Sequence, residues 1–299
     1  MNVNSQQQSE LKNVPVLKLN NGLKMPQFGL GTFNTPSNEI AKQACLVALK
    51  NGYRHIDTAH VYGNESAVGA AIKESGVPRA EIWLTSKLWP SDYAKGNTLE
   101  SIDKMLARLQ TDYIDLLYIH QPVGDYVAAW RELEKAVASG KVRSLGLSNF
   151  DATDEGFHAI VDNMKIKPVA LQIECHPYAQ RKEMQEKVKP YGIVIECWFP
   201  LGGEMSQGAL FQDSTIKDIA AAHHKTPAQI ILRWHIQEGF SVIPGATNPD
   251  YIKENISIFD FALSDAEMAA MRALNKEKRF FTMTLEQVEK MVLSRVLEN

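Results

Sequence analysis

The chain reads as an α/β protein, a closed (β/α)8 barrel of the TIM type. Three observations point there. Short, nearly continuous apolar runs alternate with helix-period segments, the pattern of a parallel sheet buried on both faces. The runs number about eight over roughly 250 residues, which suits a closed barrel. The glycine fingerprint of the competing open, doubly wound sheet is missing. Gly29-Leu30-Gly31 offers G-x-G, but Asn34 stands where the third glycine is needed.

In chain order, the start MNVNSQQQSELKN is polar and lacks an apolar signal core, so residues 1–13 are expected to be a disordered tail. No linker or low-complexity stretch divides the remainder, and residues 14–299 are expected to form one barrel domain. VPVLKLNNGLKMPQ alternates around Asn20-Asn21-Gly22, a hairpin signal. Strands are expected at 27–30, 53–57, 82–87, 114–120, 144–148, 170–174, 193–198 and 241–244. Helices fall between them. One runs from Asn38 to Lys50 and is closed by Asn51-Gly52; another runs from Asn97 to Leu109 with Leu99, Ile102, Leu106 and Leu109 on one face. Thr226-Pro227-Ala228-Gln229 opens a helix with a capping threonine and an N1 proline. Asp213 to Glu238 holds two helices before one strand. Ser264 to Glu267 and Thr284 to Gln287 are capping boxes for extra C-terminal helices.

Composition narrows the function classes. At 44% hydrophobic and 22% charged the chain can fill a core, and a net charge of −3 attracts neither nucleic acid nor an anionic membrane. The three cysteines, Cys45, Cys175 and Cys197, form no CxxC pair and no disulfide framework. No apolar run reaches membrane-span length. The expectation is a cytoplasmic protein with no membrane or nucleic-acid partner.

In a parallel barrel, chemistry gathers at the carboxyl ends of the strands. Those ends carry Asp57, Lys87, His120, Ser148, Asn149, Gln172, Glu174 and Trp198, with Tyr62 just beyond Asp57. Each has an ordinary explanation alone, as a cap, a rim charge or packing. Together they supply an acid, a phenol, an amine and an imidazole at one mouth. A phenol is a reluctant proton donor at neutral pH; a neighbouring ammonium stabilises the phenolate and should lower its pKa. An aspartate would hold the lysine, and a histidine could meet a carbonyl oxygen as charge develops. No side chain donates hydride, so this chemistry requires a nicotinamide cofactor. A metal-assisted hydrolase using Asp57, His120 and Glu174 is the competing class. No His-x-His cluster supports it, and His223-His224 point apart on a helix, so no metal site is expected.

The motifs GYRHIDTAHVYGNE (52–65), IWLTSKLW (82–89), DYIDLLYIHQP (112–122) and GLSNF (146–150) resemble those of the aldo-keto reductases, in that family's order. LQIECHPY (171–178), the PLG of CWFPLGG, and IKENISIFDFALS (252–264) resemble it too, so the likeness runs from about Val14 to Leu274. The resemblance implies a barrel whose base is closed by the N-terminal hairpin. It implies a tetrad of Asp57, Tyr62, Lys87 and His120, with Tyr62 as proton donor. It implies that Ser148, Asn149 and Gln172 meet the nicotinamide carboxamide and that Trp198 stacks on its ring. Thr32, Leu201, Ala246, Thr247, Asn248, Glu254 and Asn255 match further cofactor positions, and Phe33, Val61 and Trp89 match the wall of a small-carbonyl pocket. A monomer is expected, as is common in the family; a nucleotide-sensing barrel with little turnover is the family's alternative role.

Two features depart from the family pattern. Where the family places I-P-K-S and a later arginine around the NADPH 2′-phosphate, this chain has Gly245 and Tyr251. Asp250 beside them would repel a phosphate, while Lys253 could reach one, so NADPH or NADH is expected with the preference open. The loop after His120 is short, Gln121 to Asp125, which suggests an open mouth and broad or hydrophilic substrates. Phe280 and Phe281, on the tail that runs from Lys276, are expected to anchor it.

Overall fold

The structure, a computed structural model, describes residues 14–297; the polar tail expected at 1–13 lies outside them. Two strands, β1 (Val16–Lys18) and β2 (Lys24–Pro26), form the antiparallel hairpin around Asn20-Asn21-Gly22. Eight parallel strands follow in sequential order. They are β3 (Leu30–Gly31), β4 (His55–Asp57), β5 (Trp83–Leu88), β6 (Leu116–Ile119), β7 (Leu145–Ser148), β8 (Ala170–Glu174), β9 (Val194–Trp198) and β10 (Ser241–Val242). Parallel bridges from Phe28 to Val242 and from Gly31 to Gly245 close the circle. The first strand is centred one to two residues later than the expected 27–30, because the closing bridges take Gly29 and Gly31 as donors to Val242 and Pro244.

The helices are α1 (Asn38–Lys50), α2 (Glu65–Glu74), α3 (Thr98–Leu109), α4 (Tyr126–Ala138), α5 (Asp154–Val161), α6 (Lys182–Val188), α7 (Ala209–Gln212), α8 (Ser214–His223), α9 (Pro227–Gln237), α10 (Pro249–Ile256), α11 (Asp265–Ala273) and α12 (Leu285–Ser294). The capping boxes at Thr226, Ser264 and Thr284 are all formed. The paired helices α8 and α9 precede β10, as the sequence suggested. No helix among the described residues is long and apolar enough to cross a membrane.

Two packing layers position the site. The outward faces of the strands and the helices around them form one extended apolar core. At the base, Leu19 and Met25 of the hairpin pack on Trp83, Leu116, Tyr118 and Val169 and plug the barrel. The interior above that plug is polar. Ser148, Gln172, Glu196 and Ser241 occupy one register row across β7, β8, β9 and β10. Register partners on neighbouring strands stand about 5 Å apart, and Gln172, Glu196 and Ser241 hydrogen-bond along the row.

Candidate active site

The four residues expected to form the proton-transfer set meet at the carboxyl end of the barrel. Asp57 ends β4, Lys87 lies in β5, His120 follows β6, and Tyr62 closes a single 3-10 turn, His60–Tyr62. Lys87 is wholly buried, and its three ammonium hydrogens have three acceptors: Asp57 Oδ1 at 2.6 Å, the Thr58 carbonyl at 2.9 Å and Tyr62 Oη at 3.3 Å. The His120 ring stands 5.8 Å from that of Tyr62 and 5.3 Å from that of Trp89, edge to face in both cases.

The loop that carries Tyr62 is tied from both sides. Asn64 donates to the Thr32 carbonyl and accepts from Thr58, while Glu65 accepts from Ser86 and Arg108. His60 bonds Asp92, whose other carboxylate oxygen accepts from the Trp89 amide. Tyr62 and Trp89 are therefore held by one buried frame of hydrogen bonds.

Burial dominates the site's electrostatics. It would lower the pKa of Lys87, but the charges of Asp57 and then Tyr62 outweigh it, and the lysine is held charged. Burial raises Asp57, with Glu196 adding to the rise and Lys87 opposing it. For Tyr62 the sequence expectation of a lowered pKa is corrected. Removal from water raises it by more than the ammonium lowers it, so the phenol stays protonated at neutral pH. Burial, then the charges of Lys87 and Arg295, push His120 well below its ordinary value, leaving a neutral imidazole. Its Nδ1 is buried with no hydrogen-bond partner among the described residues.

Of the residues expected to hold the cofactor, Thr32, Ser148, Asn149, Gln172 and Trp198 are linked by hydrogen bonds to this set or to one another. Gln172 Nε2 donates to Asp57 Oδ2 and to Glu196 Oε1, each at 2.8 Å. Asn149, in the left-handed region at φ 64°, donates to the His120 carbonyl and to Ser148 Oγ and accepts from the Trp198 indole. Thr32 donates to the Asp57 carbonyl. Leu201 and Ala246 pack against the core, Asn255 is buried, and Thr247 is exposed. Asn248 caps α10, and Glu254 accepts from Thr226, so both already have partners within the chain. Gly245, Lys253 and Tyr251 are exposed, Tyr251 to 60%.

The expected pocket wall is split. Val61 and Trp89 are buried, whereas Phe33 is 55% exposed on the rim, its ring 5.1 Å from that of Tyr62. The mouth is not open. Val288 and Val292 of α12 pack on Val61, Trp89 and Val123, the Trp89 indole donates to the Arg295 carbonyl, and Arg295 donates to the Val61 carbonyl. The short loop after His120 leaves room, and the C-terminal segment fills it. The two phenylalanines divide their roles. Phe280 stacks on His176 at 4.6 Å, an anchor, while Phe281 meets the Trp198 ring edge to face at 5.9 Å.

Two carboxylates acquire roles that sequence reasoning missed. Glu174 accepts from the Phe280 and Phe281 amides, from Arg279 and from His176, so it fastens the covering segment to the strand end. That occupation removes it from any metal-ligand role in a hydrolase. Glu196 went unnoticed inside the run VIECW. Period-two alternation from Trp198 back to Glu196 was the signal that could have found it. A soft donor set also went unforeseen: Cys175, Cys197 and His235 bring ligand atoms within 4.8 Å of one another outside the barrel. Both His235 nitrogens there already face main-chain oxygens, of Ile231 and Cys175.

A closed parallel barrel with a buried acid and amine and a half-buried phenol at its carboxyl mouth has the layout of a barrel enzyme. Comparison with known proteins gives the family. The model of the Aldo/keto reductase family matches residues 27–276. The chain is 44% identical to the glyoxal reductase of Bacillus subtilis (strain 168) over 264 residues, covering 88% of this chain and 94% of that protein. It is 42% identical to the morphine 6-dehydrogenase of Pseudomonas putida, covering 87% and 91%. Among solved structures it is similar to an aldo-keto reductase from a Medee basin deep-sea metagenome library, with a TM-score of 0.85 at 40% identity over 89% of this chain and 97% of that one. It is also similar to a Bombyx mori aldo-keto reductase in complex with NADP, with a TM-score of 0.84 at 34% identity over 90% and 95%. The chain belongs to the aldo/keto reductase family and is an NAD(P)H-dependent oxidoreductase.

Proposed function

We propose that this protein reduces small aldehydes, ketones or dicarbonyls to alcohols, with Tyr62 delivering the proton. The observation that carries the reading is the buried junction at Lys87 Nζ, shared by Asp57, Thr58 and Tyr62. Lys87 donates to Tyr62 Oη, so the phenol's own hydrogen is left for an acceptor in the mouth. When bound, the nicotinamide supplies the hydride. As negative charge develops on a carbonyl oxygen, Tyr62 donates its proton and the phenolate formed is held by the ammonium already in contact. His120, neutral, donates a second hydrogen bond to the same oxygen. Asp57 keeps Lys87 charged and aimed.

The residues present fit a carboxamide. Ser148 Oγ accepts from Asn149, which leaves its hydroxyl hydrogen free as a donor. Gln172 has both amide hydrogens engaged, which leaves Oε1 as an acceptor. Trp198 offers a half-exposed ring beside them. The cover over Val61 and Trp89 favours a small substrate, and the glyoxal reductase name of the Bacillus subtilis relative supports a short dicarbonyl. A charge-assisted hydrogen bond contributes about 1.5–3 kcal/mol, so the absence of both phosphate-binding cations at Gly245 and Tyr251 supports NADH being used at least as well as NADPH.

The test follows NADH and NADPH oxidation with glyoxal and with a panel of simple aldehydes, for wild type and Tyr62→Phe. Loss of the acid should lower kcat by about 10²–10⁴-fold. Full activity in Tyr62→Phe refutes the mechanism, and a hundredfold advantage for NADPH refutes the cofactor reading. Wild type that binds cofactor yet reduces no carbonyl would favour the regulatory role.

A further inference from the structure

Two carboxylates meet the Gln172 amide in the barrel interior, Asp57 of the tetrad and one beneath it. The second carboxylate, Glu196, is fully buried on β9. Its Oε1 accepts from Gln172 at 2.8 Å and from Tyr118 at 3.0 Å, and its Oε2 accepts from Ser241 at 2.7 Å. His55 Nε2 stands 3.7 Å from Oε2 and bonds Thr85, while His55 Nδ1 faces the Pro26 carbonyl. Among the described residues every polar contact of Glu196 therefore comes from inside the barrel, and of its partners only Gln172 hydrogen-bonds a member of the tetrad.

Gln172 is the link. An amide nitrogen has two hydrogens, and here one goes to Asp57 and the other to Glu196. Turning the amide over would set its oxygen against two carboxylates, so one orientation is enforced. In that orientation Oε1 faces away from both acids as an acceptor. Asp57 meanwhile divides its oxygens, Oδ1 to Lys87 and Oδ2 to Gln172. Without Glu196 a flipped Gln172 would lose one of its two reasons not to turn, and Asp57 would lose the donor that holds its second oxygen.

We propose that Glu196 is a positioning residue for the reaction, acting through Gln172 to fix the polarity of the carboxamide site and the seat of Asp57 against Lys87. This rests on the nicotinamide reading given above. Its consequence is specific: Glu196 touches no bound molecule, yet its loss weakens dinucleotide binding only while Gln172 is present.

The experiment is a double-mutant cycle on binary NADPH and NADH binding, read by quenching of tryptophan fluorescence without turnover. The variants are Glu196→Leu, Gln172→Met and both together, with Glu196→Gln as an isosteric companion that keeps an acceptor for Gln172. Glu196→Leu should raise Kd by about tenfold, the worth of one ordinary hydrogen bond, and by less than about twofold in the Gln172→Met background. Glu196→Gln lets either amide orientation occur and should raise Kd by about threefold; this decides the matter if Glu196→Leu does not fold. An unchanged Kd in Glu196→Gln and Glu196→Leu overturns the proposal. So does an equal rise with and without Gln172, which would mark a role in packing alone. Wild type that binds neither dinucleotide would instead overturn the functional reading beneath it.

Discussion

Replacing Glu174 by glutamine should release the segment that covers the mouth while leaving the barrel intact. The carboxylate receives the Phe280 amide at 2.5 Å, the Phe281 amide at 3.2 Å, Arg279 Nε at 3.1 Å and His176 at 3.1 Å. Burial raises its pKa, but the His176 and Phe280 bonds outweigh that and hold it below the usual carboxylate value, so the charged form is the one that fastens the segment. In Glu174→Gln one oxygen can still face the Phe280 and Phe281 amides, but the new amino group confronts Arg279. One charge-assisted bond, worth about 1.5–3 kcal/mol, is lost and the others fall toward neutral strength. A total near 3 kcal/mol would speed local opening on the order of a hundredfold. Hydrogen exchange read by mass spectrometry should show that acceleration at 276–297 and little change in β4 to β7. The carbonyl KM should rise, because Val61 and Trp89 lose their cover, while dinucleotide Kd stays nearly constant. Unchanged protection of 276–297 would refute the fastening role. An equal loss of protection throughout the barrel would show instead that Glu174 supports the whole fold.

Three further outcomes follow from other parts of the structure. His120 is held neutral by burial, Lys87 and Arg295, whereas the unfolded chain takes up its proton near pH 6.5. Its share of stability is therefore present above that pH and lost as pH falls below it, by about 1.4 kcal/mol per unit until the folded pKa is reached; urea titrations of His120→Asn should lack that share of the slope. Gly245→Lys with Tyr251→Arg should lower the Kd for NADPH by tenfold or more and leave NADH within about threefold; equal effects on both dinucleotides would deny that this rim meets the 2′-phosphate. Gly69→Ala should lower the melting temperature, because a Cβ there would come within 2.4 Å of the Leu109 carbonyl and force α2 from α3; an unchanged melting temperature would mean the helices separate freely.

The tetrad was legible because each member obeys a local rule. Asp57 and His120 end apolar runs, Lys87 sits near the end of one, and strand ends in a parallel barrel converge whatever lies between them. The hairpin, the paired helices before β10 and the capped C-terminal helices were legible on the same ground. The direction of Tyr62's pKa was not. It depends on how far the surroundings exclude water, and part of the apolar cover around Tyr62 comes from residues more than two hundred positions away, such as Phe281 and Met283. Glu174 and Glu196 look alike in sequence, each one acid within an apolar strand. Their roles differ because Glu174 stands at the rim, where the returning chain offers free amides, and Glu196 stands one row inside, where only other side chains can pair with it. The sequence names both acids, but only the register across β7 to β10 and the path of the final segment assign one to the cover and the other to Gln172. The four-residue set is thus encoded locally at and just beyond the strand ends, whereas its cover and the orientation of the Gln172 amide depend on contacts between distant segments. Substitutions outside the four-residue set should accordingly alter binding and access before they alter the proton step.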